Sequence, residues 1–160
     1  MTRLREQIIT PLALDETFAF VADFANAMHW DPGVATSERL DEGPLRVGAR
    51  YRLGIRMRGR IAPMEYRVSV LDPRRRVVLL GEGSGVSAVD DIRFEQAGEG
   101  TRIDYTADIR LSGIARLAQP LLGGAFAKVA RDALEGMQRA LDGRVGQAVT
   151  AGSGSDRSDR

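Results

Sequence analysis

The chain has 160 residues, 43% of them hydrophobic and 28% charged, which is enough for one globular domain with its own core and too little for two. Its 23 basic and 22 acidic residues leave a formal net charge of +1, and that balance gives no electrostatic reason to expect nucleic acid or an anionic membrane as partner. There is no cysteine, which excludes disulfides, thiolate nucleophiles and zinc–thiolate centres, and a single histidine, His29, excludes two-histidine metal motifs.

Leu4 to Thr10 reads as a first strand, ended by Pro11. Leu14, Phe18, Val21 and Ala25 then recur at steps of four, three and four, which is one face of a helix, with Asp15 and Glu16 in the first turn where carboxylates favour the helix dipole. The helix continues, or breaks into a short second one, through His29 and Trp30, and Asp31-Pro32-Gly33 stops it. From Val34 to Leu111 the period falls to two. Tyr51, Leu53, Ile55 and Met57 share one phase, as do Met64, Tyr66, Val68 and Val70, then Ile92 and Phe94, then Ile103, Tyr105, Ala107, Ile109 and Leu111. The intervening positions are largely arginine and acidic residues, so the pattern is an antiparallel meander with one apolar and one wet face.

Helical periodicity returns after Ser112-Gly113. Leu122, Phe126, Val129, Ala133, Met137 and Leu141 form one stripe, and Pro120 with Gly123-Gly124 kinks or interrupts its start. Residues 1–146 are read as one domain, and 147–160 as a disordered tail with nothing to bury. No apolar run approaches the roughly eighteen residues of a membrane span, and no signal-peptide core follows the N-terminus, so the expectation is a cytoplasmic protein without integral membrane association.

An open sheet with one apolar face needs a cover, and the long C-terminal helix with the two short ones is the cover available. That order resembles the START and birch-pollen-allergen (SRPBCC) superfamily, and within it the polyketide cyclase/dehydratase-like subfamily. The resemblance rests on Phe20-Val21-Ala22-Asp23-Phe24 and His29-Trp30-Asp31-Pro32-Gly33, on Asp91-Ile92-Arg93-Phe94 leading to Gly100-Thr101-Arg102-Ile103-Asp104-Tyr105, and on Leu111-Ser112-Gly113, and it spans roughly Arg3 to Val145. It implies an α+β helix-grip fold: a curved antiparallel sheet of six to seven strands around a long C-terminal helix, with two short helices after the first strand. Members include lipid carriers, hormone receptors, chaperone activators and aromatic-ring cyclases, so the fold leaves the function open.

The expected cavity is lined by Tyr51, Leu53, Met64, Tyr66, Val68, Phe94, Tyr105, Phe126 and Met137, which occupy the apolar phases that must face each other. Trp30 is read either as core or as a ligand platform. His29 is read either as a general base near the cavity mouth or as a residue that only shapes the short helix. Of the adjacent Asp90 and Asp91, the phase of Ile92 and Phe94 sends Asp90 inward, unless the run Gly81-Glu82-Gly83-Ser84-Gly85 holds a bulge that resets it. An inward Asp90 would have a raised pKa and could serve as acid or base. The glycine run lacks the lysine of a phosphate-binding loop and opens no helix. The leading expectation is therefore binding or transport of a small hydrophobic molecule, lipid-like or aromatic. The alternatives are a polyketide cyclase/dehydratase using cavity His, Asp and Tyr side chains, and an interaction domain with a filled interior. No cofactor, metal or nucleic acid is expected, and a homodimer is left open beside the monomer.

Overall fold

Seven strands pair antiparallel in the order β1-β7-β6-β5-β4-β3-β2. They are β1 (Thr2–Thr10), β2 (Val34–Arg39), β3 (Arg50–Met57), β4 (Arg60–Asp72), β5 (Arg76–Gly83), β6 (Val86–Ala97) and β7 (Gly100–Leu111). Helix α1 (Leu14–Ala22), a 3₁₀ turn (Phe24–Asn26) and α2 (Ala27–Trp30) separate β1 from β2, while a 3₁₀ segment (Gly113–Leu121) and α3 (Gly123–Gly152) follow β7. This computed structural model describes residues 1–57 and 59–152, and of 146–152 the backbone alone. The architecture is the helix-grip arrangement, a meander from β2 to β7 onto which the first strand is added at the far edge.

Strand alternation puts Ile8, Tyr51, Leu53, Met64, Tyr66, Val68, Val77, Leu79, Ile92, Phe94 and Ile103 on the inner face, all buried in one continuous cluster with Phe20, Val21, Phe24 and Trp30 from the helices. Outward positions carry cross-strand ion pairs. Arg76 on β5 donates twice to Asp91 on β6, at 2.9 Å each, and Arg3 on β1 pairs with Asp108 on β7 at 2.7 Å. Exposed pairs of this kind contribute about 1 kcal/mol at most, so the arginine-rich face chiefly keeps the outer surface wet and the register unambiguous.

Four details depart from the sequence reading. β4 carries a bulge between Val68 and Val70, which flips the phase: Val70 is exposed and Leu71 takes its place against the core. Met57 stands exposed at the end of β3. On α3, Met137 and Leu141 are fully buried but Val129 is exposed: the helix meets the core only in its later turns, where Leu134, Ala140 and Val145 pack beside Met137 and Leu141. Helix α3 runs through Gly152, so residues 147–152 of the expected tail are helical backbone, and the remaining eight lie outside the described residues.

Helix α3 rests on β1 and α2. Its closest approach is at Gly136, where an added Cβ would overlap the backbone carbonyl oxygen of Trp30. Farther along, the Arg144 guanidinium lies 3.7 Å from the ring centroid of Phe20, which ties the helix to α1. At an ordinary mid-helix site Gly→Ala stabilises by roughly 0.5–1 kcal/mol. Gly136→Ala should instead destabilise, by about 1–3 kcal/mol in urea unfolding, because backbone must move to admit the methyl. A stabilised variant would mean that α3 does not sit on Trp30.

Candidate functional site

The register of the β5–β6 hairpin decides where Asp90 points. Pairing runs without a shift from Arg76↔Arg93 to Gly83↔Val86, so the glycines of β5 do not reset the phase; the bulge is in β4 instead. Asp90 therefore shares the inner face with Ala88, Ile92 and Phe94 and is only 6% exposed, while Asp91 faces outward to Arg76. The Tyr105 hydroxyl donates to Asp90 Oδ1 at 2.8 Å. Burial pushes the Asp90 carboxyl up to about 7; the Tyr105 hydrogen bond opposes that shift, and the charges of Asp31 and Asp108 add to it. Tyr105 is half-buried, and its hydroxyl is raised well above the usual tyrosine value, first by burial and then by the neighbouring Asp90.

Aromatic rings enclose this pair. Trp30 lies edge-on to Tyr105 at 6.3 Å and to Phe24 at 6.0 Å, and Phe24 lies 5.4 Å from Tyr66. The Tyr66 ring lies against Gly81, where an added Cβ would come within 2.5 Å of its edge; the glycine is the recess that admits the ring. Burial and the charges of Asp90 and Asp31 raise the Tyr66 hydroxyl well above its usual value. Trp30 Nε1 is buried without a hydrogen-bond partner among the described residues. Asp31 completes the group. It accepts from the Gly33 N–H at 2.7 Å, and burial, with some help from Asp132, pushes its carboxyl up to about 6. The sequence reading took Asp31 only as part of a helix stop; the signal overlooked was a carboxylate adjoining the tryptophan that caps the interior.

Of the residues expected to line the site, Tyr51, Leu53, Met64, Tyr66, Val68, Phe94 and Met137 are buried in the one cluster, with Trp30 among them. Tyr105 packs at its margin, whereas Phe126 is half-buried and packs outside it. Tyr51 joins this group through its ring, 6.3 Å from that of Phe24, but its hydroxyl does not: the Arg39 guanidinium lies 5.8 Å from the Tyr51 ring centroid, and the buried hydroxyl, raised by burial and by Asp23, has no hydrogen-bond partner among the described residues. His29 is a correction. It sits in the last turn of α2, exposed and outside the buried cluster that holds the other expected residues. Helix α2 turns Ala27 and Trp30 inward, and in four residues no other position can share that face. Among the described residues no group of three or more His, Cys, Asp or Glu is placed to hold a metal ion.

The family described as polyketide cyclase / dehydrase and lipid transport matches residues 1–142. The chain belongs to that family. No curated protein matches it. Among solved structures it is similar to a START superfamily protein from Mycobacterium smegmatis (17% identity, 92% of this chain and 99% of that one, TM-score 0.71) and to the Zhui aromatase/cyclase from Streptomyces sp. R1128 (18%, 92% and 94%, 0.72). It is also similar to Ara h 8.0201 (16%, 89% and 96%, 0.62). At these identities the likeness shows the fold.

A carboxyl that titrates near neutrality beside a tyrosine hydroxyl can hold a proton, give it up, or orient a ligand oxygen. It also leaves a thermodynamic trace. The folded state holds the Asp90 proton up to about pH 7, whereas an unfolded aspartate releases it near 3.8. The stability from this group is therefore complete below about pH 4 and lost as pH rises through about 7. Between pH 5 and 8 wild-type unfolding free energy should fall by about 2–3 kcal/mol more than that of Asp90→Asn, which has no proton to lose. Parallel pH curves for the two proteins would show that Asp90 ionises normally.

Proposed function

We propose that the chain binds a small hydrophobic molecule, lipid-like or aromatic, between the inner face of the sheet and α3, with Asp90, Tyr105, Tyr66 and Trp30 as its polar contacts. The observation that carries this reading is the combination of an apolar shell with hydrogen-bonding groups left over inside it. An unpartnered buried donor costs about 1–3 kcal/mol, so Trp30 Nε1 is a liability in a protein that only needs a core. A ligand carbonyl or hydroxyl would satisfy it. The rings pack on one another, so a ligand needs a route that opens. The segment Gly113–Leu121 supplies one in this reading, since none of its residues is buried and it can move without breaking the core. Membership of a family described by lipid transport and by cyclase/dehydrase chemistry supports a hydrophobic ligand. Among the described residues no helix is long and apolar enough to cross a membrane, and we place the protein in the cytoplasm, with no nucleic acid partner.

A second reading, catalysis, is favoured by one observation: a buried carboxyl, Asp90, accepts from the Tyr105 hydroxyl inside the site, and burial pushes it up to about 7. In a cyclase/dehydratase, Asp90 would take a proton from a carbon beside a carbonyl or return one to a departing hydroxyl, with Tyr105 holding the carboxylate and Tyr66 donating to the carbonyl oxygen. His29, on the surface, has no part in it. Once a turnover substrate is found, Asp90→Asn should lower the rate by about a hundredfold to ten-thousandfold, as loss of a general acid or base does. A loss below about tenfold would leave Asp90 a binding group only.

Binding itself is tested with an anilinonaphthalene sulfonate probe. Tyr66→Trp overfills the recess at Gly81 and should weaken interior binding at least about tenfold while far-ultraviolet circular dichroism and cooperative unfolding are retained. The surface variant Val47→Gln, outside the segment Gly113–Leu121 and 58% exposed, should leave that binding unchanged. Equal affinity in wild type and Tyr66→Trp would place the probe elsewhere and remove the interior from the proposal.

A further inference from the structure

Whole-chain neutrality conceals a segregated stretch. Between Asp108 and Asp132 the chain carries Arg110, Arg116, Lys128 and Arg131 and no acidic residue at all. The same stretch bears the most exposed apolar side chains of the described residues: Ile114 is 89% exposed, Leu117 80% and Leu121 87%. These three sit on the 3₁₀ segment Gly113–Leu121, none of whose residues is fully buried and which Gln119 ties to β1 and β7 by hydrogen bonds to Thr2 and Ile109. Beneath it lies an open groove of about 790 Å³, lined by Arg110, Arg116 and Gln119 together with Arg3 and the ends of β1 and β7. Lys128 is engaged by Asp132 at 2.6 Å, and Arg3 by Asp108, but Arg110, Arg116 and Arg131 have no carboxylate within ion-pair distance among the described residues.

We propose that this face, the 3₁₀ segment with the groove below it, docks peripherally on an anionic lipid bilayer. Three aliphatic side chains standing almost free of the protein are costly in water, and Arg110 and Arg116, which line the groove below them without an ion-pair partner among the described residues, select what can cover them. A second copy of the chain would bring two like-charged stretches together, which opposes self-association. An acidic bilayer matches on both counts. Its interface accepts projecting Ile and Leu side chains without a shaped recess, and its phosphates meet Arg110 and Arg116 in the groove. The near-zero net charge of the chain does not oppose this, because attraction to a charged surface acts over about a Debye length, roughly 8–10 Å, and reads the local patch. The proposal is independent of what the interior binds.

The test is co-sedimentation of the full chain with vesicles of phosphatidylcholine alone and of phosphatidylcholine mixed with phosphatidylglycerol. Binding should appear on the mixed vesicles, be absent from the neutral ones, and weaken as salt rises. Arg110→Gln and Arg116→Gln should each lower the partition coefficient about fivefold. Leu117→Gln/Leu121→Gln should lower it at least about tenfold with an unchanged melting temperature, since neither side chain is part of the core. Failure of the wild-type chain to bind anionic vesicles at low salt would overturn the proposal. So would equal binding to both vesicle types, or a leucine variant that binds like wild type. A dimer seen by light scattering that dissociates in the leucine variant would overturn it in favour of a second copy.

Discussion

A carboxyl group inside an apolar shell must keep its proton or find partners for its charge, and the interior of this protein is organised around one that does some of each. Among the described residues Asp90 is reached by a single side-chain hydrogen bond, from Tyr105, and by no cation; burial outweighs that bond and pushes the group up to about 7. Ionising it fully would leave a buried charge with one donor. Filling the space with leucine would be the more stable choice. That the fold tolerates Asp90 where packing alone would not is why the site is read as functional.

The surroundings follow from the same constraint. Tyr105, Tyr66 and Trp30 bring their polar ends into the interior on rigid apolar bodies, so hydrogen-bonding capacity is supplied with little loose polar volume. Gly81 makes the recess for Tyr66, and Gly136 lets α3 close onto the carbonyl of Trp30, which holds the indole over Tyr105. The C-terminal half of α3 seals the shell through Met137 and Leu141, while its first turns and the preceding 3₁₀ segment stay exposed. One end of the grip is thus packed and the other exposed, a division that fits the ligand route proposed above.

Most of this was legible in the residues. Period-two alternation placed Tyr51, Leu53, Met64, Tyr66 and Phe94 on the buried inner face, because each lies in a strand whose pairing runs unbroken through that residue, and Val68 is the last to keep that phase before the β4 register shifts. Val70 was misread because a bulge leaves no apolar mark of its own: Ser69 is an ordinary strand residue until its neighbour's register is known. Asp90 could be placed in phase, but the glycines before it allowed two registers, and only the pairing with β5 chose between them. His29 looked chemical because it was the sole histidine; a four-residue helix has one inward face, and Trp30 and Ala27 took it. Asp31 was hidden by its company, since an aspartate before Pro32 and Gly33 reads as a turn whatever its carboxyl touches. The stretch from Arg110 to Arg131 was masked by averaging, as a net charge sums over faces that a partner never meets together.

Direct titration of the Asp90 carboxyl carbon by NMR, assigned by comparison with Asp90→Asn, bears most closely on this account. A midpoint near 7, moving further upward in Tyr105→Phe as the hydrogen bond to the carboxylate is removed, is the result expected from the geometry. A midpoint near 4 that ignores Tyr105 would contradict it, and would make Asp90 a solvated surface group and the interior an ordinary core.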